Sequence, residues 1–510
     1  MTKMLTAFSG APHYLAEEWK LIEWETLQLQ VHRLQMRIAK AYREGRHNKV
    51  KALQWLLTHS FAAKLLAVKR VTSNQGAKTP GVDNVLWRTP QQKMQAALSL
   101  KRRGYQPQPL KRIYIPKKQK EKLRPLSIPP MQCRAQQALH LLALEPIAET
   151  IADKNAYGFR PYRSTTDATE QCFLALAHRG SAQYILEGDI KSCFDTISHQ
   201  WLRQHVPMDK VMLNKWLNAG YIEKENWHPT EFGVPQGGII SPTLLVITLS
   251  GLEATVKSVV SQQRIDKIYM CSYADDFIIT GATKEVLENK VMPVLEKFLL
   301  ERGLVLSKEK TKITHIDEGF DFLGVNFRKY SGKLIRKPAK DNVHKFLENI
   351  RETIKSNATA KAENLIHQLN PKIRGWANYH RHICAKQTFN KVRDHLFHAL
   401  WRWAKRRHTR KSRKWIAAKY FRTKQCQHWV FYDKVKDEKG KTIFLDLIEI
   451  SRTPIRRHIK FKAEANPYDP AYQDYIAERL ERRKKKQLFR MERSYWSPWW
   501  EINNLETASL

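Results

Sequence analysis

The chain has 510 residues, 42% hydrophobic and 27% charged, which allows several domains and excludes wholesale disorder. Its net charge of +40 is unevenly placed: residues 1–130 carry +18, residues 371–510 carry +20, and the stretch between carries only +2. Solubility alone does not call for such segregation, whereas a near-neutral core clasped onto a polyanion at both ends does.

The six cysteines (133, 172, 193, 271, 384 and 426) form no CxxC pair and have no metal-ligand spacing. Disulfides and structural zinc are therefore not expected, and a reducing compartment is. No basic stretch followed by a long apolar run opens the chain, so no secretory signal is read. The most apolar window, Gly237 to Leu249, is interrupted by Ser241 and Pro242 and is too short to span a bilayer. These features predict a soluble, intracellular, nucleic-acid-facing protein without a membrane partner.

Residues 29–70 read as helix, with Val31, Leu34 and Ile38, then Val50, Leu53 and Leu57, at spacings of three and four. A turn-rich break follows, Ser73-Asn-Gln-Gly76 and then Thr79-Pro-Gly-Val-Asp83. Residues 112–128 read as a hairpin around a Lys-rich loop at 117–122, and Ala135 to Ala148 as an apolar helix. From 184 to 280 strands and helices alternate. Pro338 to Asn370 reads as polar helix, and 371–420 as helix with Trp376, Tyr379, Trp401, Trp403, Trp415 and Tyr420 set among Arg and Lys. Glu478 to Arg490 reads as a solvated helix, and Ser494 to Trp500 is Trp-rich without an assigned role.

Chemistry concentrates in two places. Tyr273-Ala-Asp-Asp276 lies between Ile268-Tyr-Met270 and Phe277-Ile-Ile279, the pattern of a β-hairpin with adjacent acids at its tip. Two carboxylates held together repel unless a cation lies between them, and Mg²⁺ bound by carboxylates and substrate phosphates is the usual answer. About eighty residues earlier an apolar strand, from Tyr184, ends on Asp189, with Phe194 five residues on. That third carboxylate suits a two-ion site for in-line phosphoryl displacement.

Five motifs occur in the order seen in reverse transcriptases. They are Asp189 with Phe194, Gly233-Val-Pro-Gln-Gly-Gly-Ile-Ile-Ser-Pro242, Tyr273-Ala-Asp-Asp276, Leu306-Ser-Lys-Glu-Lys-Thr311 and Phe322-Leu-Gly324. Tyr114-Ile-Pro-Lys117 with Leu123-Arg-Pro-Leu126, Tyr157-Gly-Phe-Arg160 and Leu369-Asn-Pro-Lys-Ile-Arg-Gly-Trp-Ala-Asn-Tyr-His380 add to them. Together they make the chain resemble, over residues 30–465, the group II intron-encoded reverse transcriptase/maturase proteins. After Ser241-Pro242 the family often reads Leu-Leu-Ala-Asn, where this chain has Thr243-Leu-Leu-Val246.

The resemblance implies an α/β right-hand polymerase, with fingers and an antiparallel-sheet palm, then an α-helical thumb/maturase domain and a basic C-terminal region. The expected division is a basic helical extension at 1–80, fingers and palm at 81–335, thumb/maturase at 336–420, and a basic DNA-binding region and tail at 421–510. Only His428 and His458 follow Cys426, so an HNH nuclease is not expected. The resemblance also implies two Mg²⁺ ions on Asp189, Asp275 and Asp276, helped by the Ile190 carbonyl. Lys117 and Arg124 would neutralise a triphosphate, Phe194 would exclude a 2′-hydroxyl, Gln236 would contact the incoming nucleotide, and Lys310 would protonate departing pyrophosphate. Phe322, Leu323 and Gly324 would grip the primer end.

For nucleic acid, Arg374, Arg402, Lys405, Arg406, Arg407 and Arg410 are the expected phosphate contacts, with Trp376 and Tyr379 packed inside. The implied partners are group II intron RNA, an RNA template, a DNA primer or target, and dNTPs. A dimer is left open, and the implied setting is a bacterial-type cytoplasmic ribonucleoprotein, associated with the nucleoid when acting on DNA. The competing readings are a maturase-only splicing factor, a reverse transcriptase recruited to another task such as phage defence, and a metal-dependent nuclease. Intact Asp189, Asp275, Asp276 and Gln236 oppose the first, the segment 369–380 the second, and Gln236-Gly-Gly238 the third.

Overall fold

The computed structural model describes residues 12–116, 123–260, 263–425, 427–437 and 440–494. The Lys-rich loop and the Trp-rich tail from Tyr495 onward lie outside the described residues.

The helical pattern at the N-terminus resolves into three helices, Trp24–Arg43, His47–His59 and Phe61–Thr72. Gly45, in the left-handed region at φ +70°, ends the first, and extended Ser60 separates the other two. Val31, Ile38, Val50, Leu53 and Leu57 are buried, as their spacing predicts. A fourth helix, Pro90–Ser99, opens on a capping box between Thr89 and Gln92. All four share a core with Met131–Ile151, which supplies Met131, Ala135, Ala138, Leu139, Ala143 and Ile147 to it. That helix is buried on nearly every side, polar Arg134, Gln136 and Gln137 included. Truncating Leu57, which has no exposed surface, to Ala would cost roughly 2–5 kcal/mol.

The expected fingers hairpin pairs Leu110–Pro116 with Leu123–Ile128, antiparallel, and Leu110 continues in parallel onto Tyr221. The palm sheet has four antiparallel strands in the order Met270–Tyr273, Asp276–Gly281, Tyr184–Asp189, Lys312–His315. Its apolar runs are continuous because both faces are buried. Ile185, Cys271 and Ile278 enter one core, while Leu186, Met270, Phe277 and Ile279 enter another on the opposite face.

A three-stranded sheet, Phe320–Phe322, Val325–Tyr330 and Lys333–Pro338, leads into the thumb helices Lys340–Ser356, Ala362–His380, Lys386–Arg407 and Arg413–Tyr420. Beyond them the chain forms a sheet that the sequence pattern does not foretell, Phe421–Lys424, Gln427–Lys436 and Thr442–Asp446. Its Phe421, Phe431, Val435 and Leu445 join the thumb core.

Residues 456–473 then cross the molecule as a strap. His458 Nε2 and the Phe461 N–H both meet the buried Asp167 carboxylate, at 2.8 and 2.7 Å. Tyr468 donates to Glu145 at 2.5 Å, and Asp469 pairs with Arg43 of the first long helix. Among the described residues, no helix is long and apolar enough to cross a membrane.

Candidate active site

The candidate acids lie at the ends of the two central palm strands. The sheet register alone sets two carboxylates side by side, since Asp189 pairs directly with Asp276. Tyr273 pairs with Asp276 across the hairpin, leaving Ala274 and Asp275 as a two-residue turn. Ala274 adopts φ +59°, a left-handed conformation that a non-glycine residue takes at a cost of about 1–3 kcal/mol.

Close packing holds that turn. A Cβ on Gly158 would lie 2.1 Å from the Ala274 nitrogen, and one on Gly188 would lie 2.2 Å from the Phe277 ring. The Tyr157 N–H donates to the Ser272 carbonyl at 2.9 Å. The Tyr157-Gly-Phe-Arg160 motif therefore buttresses the acidic hairpin, a role that the sequence alone leaves unassigned. Its signal was the glycine, which only a close backbone approach requires. Arg160 is anchored below by a buried bidentate pair with Glu149, at 2.8 and 3.1 Å.

The electrostatics are those of crowded acids. Asp276 presents surface to the cleft, yet burial of its carboxyl, with Asp275 and Asp189 beside it, pushes its pKa up to about 6. Asp275 is also raised, chiefly by burial and then by Asp189. The nearby buried Cys193 thiol is raised too, by burial and then by Asp275, Asp189 and Asp195. The cleft thus has a strong local deficit of positive charge. Lys310 answers part of it, with Nζ 2.8 Å from Asp189 Oδ2, and its pKa rises in return.

Among the described residues no group of three His, Cys, Asp or Glu side chains is arranged to hold an ion alone. The donor set nonetheless fits hard divalent cations: it is all oxygen, anionic and short of countercharge, and substrate phosphates would complete it. Ile190, buried beside Asp189, is bridged to Leu306, and the Asp189 carbonyl accepts from the Ser307 N–H at 2.8 Å. The Leu306–Thr311 motif is thereby stitched to the strand that ends on Asp189.

Of the remaining expected site residues, Arg124, Phe194 and Gln236 each touch or act on a named neighbour. Arg124, on the fingers hairpin opposite Ile115, is near enough for its charge to act on Asp275. Phe194 is half-buried and meets Phe159 edge-on, with ring centroids 6.1 Å apart. Gln236 turns its carboxamide toward Asp195, at 3.3 Å, while its carbonyl accepts from Ser127 of the fingers at 2.7 Å. Gly237, at φ +120°, leaves no room for a Cβ, which would be 2.6 Å from the Ser127 oxygen. Lys117 lies outside the described residues. Val246, at the departure from the family pattern, lines a small apolar pocket behind the hairpin with Leu245, Leu249, Ala274 and Phe277.

Phe322 and Val325 pair across a turn formed by Leu323 and Gly324, both left-handed at φ +52° and +74°. Further out, Arg402, Lys405, Arg406 and Arg410 are exposed on or just beyond the thumb helix, and Arg374 is half-buried. Arg407 differs from them: it donates to the Ala358 and Ala360 carbonyls and stacks over Trp403, which ties it to the thumb loop. Trp376 and Tyr379 are half-buried between thumb and palm.

Three family models match the chain in succession. The N-terminal domain of reverse transcriptase covers residues 19–100, reverse transcriptase (RNA-dependent DNA polymerase) covers 115–327, and the group II intron maturase-specific domain covers 343–421. Among individual relatives, Protein YkfC of Escherichia coli is 33% identical over 346 residues, 59% of this chain and 88% of that one. The group II intron-encoded protein LtrA of Lactococcus lactis is 29% identical over 398 residues, 63% of this chain and 65% of LtrA. A putative COX1/OXI3 intron 2 protein of Saccharomyces cerevisiae is 25% identical over 349 residues, 56% of this chain and 40% of its own length.

Proposed function

Since the chain belongs to the group II intron-encoded reverse transcriptase/maturase family, we propose that its acidic cleft copies RNA into DNA. In this reading the protein also binds its parent intron RNA, assists its splicing, and reverse-transcribes it from a DNA primer at the target site. The observation that carries the polymerase reading is the Asp189–Asp276 register with Asp275 at the adjoining turn. A retired site has no reason to retain three mutually repelling carboxylates.

Asp189, Asp275, Asp276 and the Ile190 carbonyl would hold two divalent cations, Mg²⁺ being the choice for an all-oxygen site completed by phosphates. When bound, such ions stabilise charge on the attacking and leaving oxygens of an in-line displacement. The chain's own residues do the rest. Arg124, with Lys117, offers cationic charge to the triphosphate of a dNTP. Phe194, backed by Phe159, puts a rigid ring where a ribose 2′-hydroxyl would enter. Gln236, pinned through its backbone to Ser127, couples the nucleotide position to the fingers. Lys310 holds a proton at Nζ, close enough to the acids to deliver it to pyrophosphate. The exposed cations of the thumb and the C-terminal region supply sequence-independent phosphate contacts. The setting that suits these partners is a cytoplasmic ribonucleoprotein that meets the nucleoid when it acts on DNA.

The test is primer extension on an RNA template with Mg²⁺ and dNTPs, wild type beside Asp275→Asn. DNA synthesis by the wild type alone supports the reading. Tight intron RNA binding with no synthesis by either protein would replace it with the maturase-only function.

A further inference from the structure

The segment Leu369–His380 carries the resemblance to the maturase region, and the chemistry of the cleft asks nothing of it. In the structure one of its side chains ends on the Leu323–Gly324 turn and two others on Asn342 beside it. Tyr379 donates its hydroxyl to the Leu323 carbonyl at 2.7 Å. Trp376 Nε1 and His380 Nε2 both reach Asn342 Oδ1, at 2.8 and 3.1 Å.

These partners fix one another's orientation. An indole N–H can only donate, so Asn342 must present its oxygen to Trp376. Its amide nitrogen then faces Gly324, close enough that a Cβ there would be 2.9 Å from Nδ2. Burial holds the pKa of His380 down at about 3, so the ring is neutral and Nε2 carries the donated proton. Trp376 is itself fixed, stacked on Phe346 at 4.6 Å and 8°. From the other side, the Ala339 N–H donates to the Gly324 carbonyl at 3.0 Å.

The turn needs such help. With both residues left-handed it is the kind of two-residue hairpin that Asn-Gly forms readily, and here a leucine occupies the first position. Neither leucine nor glycine has a polar side chain with which to compensate. The compensating contacts come instead from residues some 20 to 60 positions downstream.

We propose that Tyr379 and Asn342, the latter oriented by Trp376 and His380, are positioning residues that set the primer-end turn and, through it, the attacking 3′-hydroxyl. This rests on the polymerase reading and on Phe322-Leu-Gly324 as the turn that holds the primer. A reacting oxygen displaced by an ångström loses rate far out of proportion to any loss of binding.

Single-turnover extension of an annealed primer on an RNA template separates this role from ordinary packing. Tyr379→Phe keeps the ring and removes only the hydroxyl. It should slow extension by roughly tenfold, with the KM for dNTP, the RNA affinity and the thermal midpoint close to wild type. Asn342→Leu should slow it at least as much. Wild-type extension by Tyr379→Phe, or a rate loss matched by an equal loss of RNA affinity, would overturn this proposal alone. A wild-type protein that extends no primer would overturn it together with the polymerase reading.

Discussion

Two tight turns, one in the palm sheet and one in the sheet that leads into the thumb, are held by different means. The acidic hairpin at Tyr273–Asp276 is fixed within the palm, by strand register on both sides and by glycines that bring backbone against it. The turn at Leu323–Gly324 is fixed from outside, by side chains of the thumb. Each carries a non-glycine residue in the left-handed region, Ala274 and Leu323. The contrast teaches that the charge-bearing element is fixed by its own sheet, whereas the Leu323–Gly324 turn depends on contacts that the thumb supplies.

The largest expected effect breaks the first turn chemically. Asp275→Asn should reduce primer extension by roughly 10³-fold or more, because the proposed ions would lose an anionic ligand, while RNA affinity stays near wild type in a filter-binding assay. Gly158→Ala attacks the same turn mechanically, since its Cβ would lie 2.1 Å from the Ala274 nitrogen. It should lower stability by about 1–3 kcal/mol and activity by more than the stability loss explains, as denaturant melts read beside extension rates will reveal.

The basic surface follows. Replacing Arg402, Lys405 and Arg406 with Ala should weaken RNA binding and flatten its salt dependence, by at most about one unit of log–log slope for each phosphate no longer neutralised. Arg407 is left out because its guanidinium is already bonded to the Ala358 and Ala360 carbonyls. An unchanged slope would return the cluster to plain solvated surface.

The smallest effect sharpens the electrostatic side. The Asp276 carboxyl has a folded-state pKa of about 6, above its ordinary value. The folded state therefore binds this proton more tightly than the unfolded one, and the associated stability is present near pH 4 and is lost as pH rises through about 6. Asp276→Asn should accordingly raise the midpoint at pH 7.5, by on the order of 1–2 °C, and change little at pH 4. Added Mg²⁺ should narrow the gap at pH 7.5 by stabilising the wild type more than the variant.

Much of the palm was legible from short-range pattern. Apolar runs around Tyr273–Asp276 and before Asp189 foretold strands, and the hairpin at 112–128 and the buried helix at 135–148 follow from the same rules. The three-stranded sheet at 421–446 was not legible. Its strands mix Arg, Lys and Asp with aromatics, so no clean alternation marks them, and only packing of Phe421, Phe431 and Leu445 on the thumb stabilises them. The strap was hidden for a related reason. His458 and Phe461 meet Asp167 across nearly three hundred residues, a pairing that local periodicity does not encode.

The sequence by itself determined the candidate acidic site and the charge layout, because acid spacing, strand length and a segregated net charge are properties of the chain read locally. Only the tertiary structure decided what holds that site in place: Gly158 beneath the acids, Lys310 on Asp189, Arg407 bonded to a thumb loop, and Tyr379 on the Leu323 carbonyl. Each of these joins distant segments, and its energy depends on an approach of a few ångströms that nothing short of the packed fold specifies.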